Sequence, residues 1–189
     1  MKLNKTMIAA LLAVYIAVPL AFGGNNYVMS LVVASLVIGG VALSWALLGN
    51  LGGMVSFGHA AFFGVGAYTS AILTMQFHVP VLLAMLLGGI GAIVASLTML
   101  PVLRLRGPYF ALAILAYAHI FRIFANEWTS VTGGSGGIAN IPQLPALLGY
   151  DFSTKTGNYL VILSIVLAFA VVYELIRRSP QGLALKAMH

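Results

Sequence analysis

Six apolar runs, at residues 7–22, 28–48, 59–76, 79–103, 108–126 and 158–176, leave this chain few ways to fold. A run approaching 20 apolar residues can satisfy its backbone polar groups in a bilayer by forming a helix. The expectation is therefore an all-α integral membrane protein with about six transmembrane helical segments. Only 6% of the 189 residues are charged, against about 25% in a typical soluble domain. The first run is short, and the fifth contains His119 and Arg122, so these two are the least regular as spans. A basic start, an apolar core and small residues at 21–24 resemble a signal peptide, but the apolar runs that follow favour an uncleaved first helix.

The nine Lys and Arg outnumber the three Asp and Glu, yet the cations sit in short clusters between apolar runs and do not form a nucleic-acid surface. Lys2 and Lys5 precede the first run, Arg104 and Arg106 follow the fourth, and Arg177, Arg178 and Lys186 follow the sixth. Each cluster is an even number of crossings from the N-terminus. Because positively charged loops stay cytoplasmic, the N-terminus is expected in the cytoplasm. The loop 127–157, with Glu127, Asp151 and Lys155, then lies on the opposite, periplasmic side. The absence of cysteine excludes disulfides, thiolate metal sites and a cysteine nucleophile.

Small residues recur four apart: Ser35 and Gly39, Gly40 and Ser44, Ala60 and Gly64, Gly66 and Ser70, and Gly88 with Ala92 and Ser96. That spacing lets helix backbones approach closely in lipid, where packing replaces the hydrophobic drive, and predicts a tight bundle.

Three polar stretches interrupt the apolar pattern. The first, GNLGGMVSFGHAAFFGVGAY at residues 49–68, places Gly49, Gly52, Gly53 and Gly58 between the second and third runs. Irregular backbone at membrane depth is tolerated where protein buries it or a water-filled cavity meets it, and transporters use broken helices of this kind. The segment reads either as a broken or re-entrant element or as a tight glycine turn. A haem would need a second axial histidine, and His119 is the comparable partner for His59; neither lies in a motif that fixes ligand geometry. His59 is therefore read as capping or hydrogen-bonding the glycine-rich turn, and no metal or cofactor is expected.

The second stretch, TSVTGGSGGI at 129–138, lacks the Lys-Ser/Thr pair and preceding strand of a phosphate-cradling loop. It reads as a flexible linker or as a backbone-rich vestibule, with composition favouring the linker. Arg122 either snorkels to the interface, the commoner behaviour, or pairs with Glu127 or with a substrate carboxylate. In the third stretch, Arg177-Arg178-Ser179-Pro180-Gln181-Gly182, Ser179 suits a helix N-cap and Pro180 a first turn. A frayed tail and a short docking helix are both open.

These stretches together resemble one family. Residues 49–73 are similar to the G-x-x-G-x-x-S-L-G-H-A-A-F-F-G-I-G-A-Y-T segment of branched-chain amino-acid ABC importer permeases of the LivM type. Arg106 to Ala111 resembles that family's R-G-x-Y-F-A, Thr132 to Gly137 its T-G-G-S-x-G, and Arg178 to Gly182 its R-S-P-x-G. The resemblance implies one partial permease domain over 1–189 in a bacterial inner membrane, with 177–189 beginning a cytoplasmic coupling segment. It implies a second permease subunit, two cytoplasmic ATPases that bind and hydrolyse ATP, and a periplasmic solute-binding protein as partners. Aliphatic amino acids are the implied cargo, with urea or short amides in close relatives; a passive channel and a haem-binding anchor are rival readings. The permease itself is expected to be no enzyme.

The resemblance points to Gly52, Gly53, Ser56, Gly58, His59, Thr132, Gly133, Gly134, Ser135 and Gly136 along the pathway, and to Ser179, Pro180, Gly182, Leu183 and Lys186 at the ATPase contact. Met54 stands where relatives often carry Gln, and His119 where an acidic residue is common. The chain stops at His189 where relatives continue, so a fragment is expected.

Overall fold

The computed structural model describes residues 5–53, 56–105, 107–147, 150–180 and 182. Met54, Arg106, Leu183 and Lys186 lie outside the described residues. Seven α-helices are defined among those described: α1 (Lys5–Phe22), α2 (Asn26–Gly52), α3 (His59–Gln76), α4 (Val81–Leu97), α5 (Pro108–Glu127), α6 (Thr129–Thr132) and α7 (Lys155–Arg178). The only strands described, β1 (Ala146–Leu147) and β2 (Tyr150–Asp151), form a two-residue antiparallel pair with Ala146 opposite Asp151.

The helix boundaries follow local chemistry. Pro19 lies inside α1, and the amide of Gly23 closes that helix on the Pro19 carbonyl at 2.8 Å. The Asn25 side-chain oxygen then accepts from the amides of Tyr27 and Val28 at 3.1 and 3.2 Å, capping α2. Thr154 caps α7 by accepting from the Gly157 amide at 3.0 Å. The apolar run 79–103 is not one helix: α4 stops at Leu97 and a 3-10 turn follows at Leu100–Arg104. Pro101 has no amide to donate to a continuing α-helix. Pro108 starts α5 from Gly107, whose φ of +58° and ψ of −134° suit glycine.

By length and composition, three of these helices could cross a membrane: α2, α5 and α7. The described apolar part of α1 (Ala13–Phe22) and α4 are shorter. In α3 glycine, serine and threonine dilute the apolar pattern. The hydroxyls inside these helices are met locally, as Thr69 donates to Val65 O at 2.7 Å and Thr74 to Ser70 O at 2.8 Å. Ile38, Leu86 and Leu112 leave about two thirds of their surface uncovered, as suits side chains facing lipid.

The chain forms two compact units. One comprises α1, α2 up to Gly40, the β1–β2 pair and α7 up to Val172. Its core is Met29, Tyr159 and Leu163, with Tyr15, Val18, Val32 and Leu36 packed against them. The Tyr159 hydroxyl donates to Val14 O at 3.0 Å, so its one polar atom is satisfied within an apolar core. Gly40 faces Val166 at ordinary contact distance.

The other unit holds α2 from Val41, α3 to α6, and the end of α7 from Tyr173. Here α3 and α4 meet backbone to backbone. A Cβ placed on Gly88 would lie 2.5 Å from Gly66 O and 3.0 Å from Ser70 Cβ, while one on Gly91 would lie 2.8 Å from Thr69 Oγ1. The Gly66–Ser70 and Gly88–Ala92 spacing is thus used for close contact. By contrast, Gly39 and Gly64 face open space, so the contact expected at those two positions is absent. Met99, Phe110 and Ile114 form a second core beside Phe62, Val102 and Tyr117.

Adjacent glycines in α4 separate close packing from helix propensity. Gly88→Ala is expected to lower stability by about 1–3 kcal/mol through overpacking. Gly89→Ala, with nothing within 4 Å, should be neutral or stabilising by up to about 1 kcal/mol. Apparent melting temperatures in detergent check this, and equal shifts for the two variants would refute the contact.

Candidate functional site: a cleft between two helices and the loop that closes it

The glycine-rich stretch breaks later than its composition predicts. Gly49 and Gly52 are helical in the last turns of α2, so they do not loosen the chain; the break begins at Gly53, with φ +60°. Ser56 organises the described part of it. Its side-chain oxygen accepts from the Gly58 amide at 3.3 Å, and its carbonyl accepts from Trp45 Nε1 at 2.8 Å. Gly58 matters for space, because a Cβ there would lie 2.5 Å from Ile114 Cγ2.

Gly58 occupies the N-cap of α3 without any side-chain cap, and the buried His59 Nδ1 has no hydrogen-bond partner among the described residues. Ser56, two residues before Gly58, meets the amide of this N-cap residue instead. Ser56 and His59 border a cavity of about 250 Å³ with Ser96, Met99 and Ile114.

The TGGSGG loop is wound, not slack. α6 continues from α5 for one turn, and a 3-10 turn follows at Gly134–Gly136. The buried Thr132 hydroxyl lies 2.6 Å from Ala125 O and 2.8 Å from Trp128 O, and its oxygen accepts from the Gly134 amide at 3.2 Å. Gly133, Gly134 and Gly137 all have φ between +61° and +75°, a region that glycine enters without penalty. A Cβ on Gly133 would lie 2.2 Å from Gly137 O. The linker reading from composition fails because one hydroxyl ties the loop to the end of α5. Ser135 and Gly136 are exposed at its tip.

Between α3 and α5 lies a cleft of about 740 Å³. Gly64 borders it on the α3 side, and a Cβ there would meet nothing within 4 Å. From α5, His119, Arg122 and Asn126 border it at helical spacing, and Trp128 and Thr132 reach it from the wound loop. Val65, Ile72 and Leu115 supply apolar wall. Arg122 is exposed, and the ion pairs among the described residues are those of Glu174 with Arg177 and Arg178. The pairing of Arg122 with Glu127 considered from sequence is therefore not made.

The expected pathway residues thus divide. Thr132 borders the large cleft, Ser56 and His59 border the smaller cavity, and His119 lies at the cleft, so the two histidines face different cavities. No group of three His, Cys, Asp or Glu able to hold a metal occurs among the described residues. Ala60, Gly64, Tyr68 and Asn126 were not expected there, and Arg122 only as one alternative to an interfacial role or a pairing with Glu127. The signal was present in the four-residue spacing of Ala60, Gly64 and Tyr68 opposite His119, Arg122 and Asn126.

At the end of α7, Glu174 accepts from both Arg177 and Arg178, with bonds of 2.7–2.8 Å. The amide of Gly182 then donates to Ser179 Oγ at 3.0 Å. Ser179 is the N-cap of a new turn containing Pro180, as its sequence position suggests. Gly182 is buried, and a Cβ there would lie 2.1 Å from Ile176 O.

The family model for the branched-chain amino acid transport system permease component matches residues 27–189. The high-affinity branched-chain amino acid transport system permease protein LivM of Salmonella typhimurium is 29% identical over 98% of this chain and 48% of its own length. The protein of the same name in Escherichia coli is 32% identical over 79% of this chain and 35% of its own. The chain spans about half the length or less of these relatives. No solved structure matches it.

Strain and contact at the loop are separable by substitution. Gly133→Ala should weaken the loop by about 1–3 kcal/mol, since it joins a positive φ to a clash with Gly137 O. Gly136→Ala meets nothing within 4 Å and should be tolerated. Amide exchange of residues 133–137 in detergent is the measurement; similar protection in both variants would refute the wound conformation.

Proposed function

Because the chain belongs to the branched-chain amino acid transport system permease family, we propose that it forms part of the membrane pathway of an ABC importer for aliphatic amino acids. The observation that carries this is the α3–α5 cleft: concave, walled by apolar side chains, with a few polar groups converging on it. Ligand sites generally have this make-up. In this reading α1, α2, α3, α4, α5 and α7 provide six spans of a bacterial inner membrane, with the N-terminus cytoplasmic. The break marked by Gly53, Ser56 and Gly58 lies at the inner end of α3. The wound loop sits on the periplasmic side, where a solute-binding protein delivers cargo.

The transporter is completed by a second permease subunit and two cytoplasmic ATPases. ATP is bound and hydrolysed there, so this subunit contributes no catalytic residue and needs no cofactor of its own. Alternating access moves cargo past a weak, largely apolar route. The Ser179-capped turn is the ATPase contact, its entry held by Glu174 and the two arginines.

Gly64→Cys tests the pathway. The chain has no other cysteine, so a bulky water-soluble thiol reagent acts at one place in it. In proteoliposomes containing the assembled transporter, binding protein and ATP, modification should abolish leucine uptake and leave the unsubstituted chain unaffected. Full uptake after complete labelling would overturn the assignment of the cleft. Ser179→Ala should cost its helix turn about 1 kcal/mol, slowing ATP-driven uptake while the ATPases still co-purify; unchanged uptake would remove the turn from coupling.

A further inference from the structure

We propose that Arg122 receives the carboxylate of the cargo in the α3–α5 cleft. This rests on the cleft being the pathway.

The first ground is charge. An arginine within an apolar helix is costly unless an anion or water meets it. Arg122 borders the cleft, is exposed, and has no ion pair among the described residues. Glu174 is already shared by Arg177 and Arg178. No carboxylate among the described residues borders the cleft, and the carboxylate of a ligand is the anion assigned to Arg122 there.

The second ground is arrangement. His119 and Asn126 lie one turn to either side of Arg122 and border the same space. The three present hydrogen-bonding groups along one edge, with Arg122 at the centre. Val65, Ile72 and Leu115 border the cleft as apolar wall. A planar guanidinium can grip a carboxylate with two parallel hydrogen bonds, while a branched aliphatic chain lies against the wall. The empty space over Gly64 leaves room for that chain. The polar edge and apolar wall together select an aliphatic carboxylate over a neutral apolar solute.

Arg122→Cys tests this in a form that separates charge from folding. The assembled transporter is purified and reconstituted first, and the single cysteine is then modified. A 2-aminoethyl methanethiosulfonate leaves a cationic side chain; propyl methanethiosulfonate leaves a neutral one of similar reach. Before modification, leucine uptake below saturation should fall about tenfold, the scale of one charge-assisted hydrogen bond. The cationic product should recover at least about fivefold over the neutral product. The unsubstituted chain, treated identically, sets the baseline for cysteines in the partners.

Equal uptake with the two products would overturn the proposal, and is the outcome expected if Arg122 serves only lipid phosphates at the interface. Wild-type uptake by unmodified Arg122→Cys would overturn it as well. The Gly64→Cys block, measured in the same preparation, distinguishes the two failures. If that block holds while charge at 122 has no effect, the pathway stands and the role of Arg122 falls.

Discussion

Every amide and carbonyl released by a helix end must find a partner inside the protein wherever water is scarce, and this requirement shapes the structure at each break. Asn25, Thr154 and Ser179 each turn a short side chain back onto the amides of the helix that follows. Ser56 does the same for the break before α3, and Thr132 for the loop after α5. Together they let a chain of very low charge change direction without leaving its backbone unmet.

Glycine serves two opposite purposes. At Gly66, Gly88 and Gly91 the missing Cβ lets α3 and α4 touch, and at Gly58 it lets the break lie against Ile114. At Gly64 the missing Cβ leaves space unfilled. The pair α3–α4 is thereby a fixed wall on one side of α3, and the cleft with α5 opens on another.

The helices were legible in the sequence because periodicity and caps are local. The run 59–76 became α3 residue for residue, and Pro108 and Ser179 began helical turns as their positions suggest. What was not legible depends on a partner in space. Small residues four apart read alike whether a neighbouring helix closes on them or stands off, so Gly66 and Gly64 could not be told apart. TGGSGG has the composition of a linker, and nothing local reveals that the Thr132 hydroxyl reaches back to Ala125 O. Ser56 was named with His59 from the motif, but its bonds to the Gly58 amide and to Trp45 Nε1 depend on where the chain turns.

The vacancy over Gly64 also bears on how such a protein can change over generations. A Cβ added there would meet nothing within 4 Å, so a small side chain would leave the packing of the fold intact while narrowing the cleft by its own volume. Core positions couple what a mutation does to folding with what it does to function. Here the two are uncoupled, and in the pathway proposed for this cleft a single codon becomes a dial for the girth of solute that can pass.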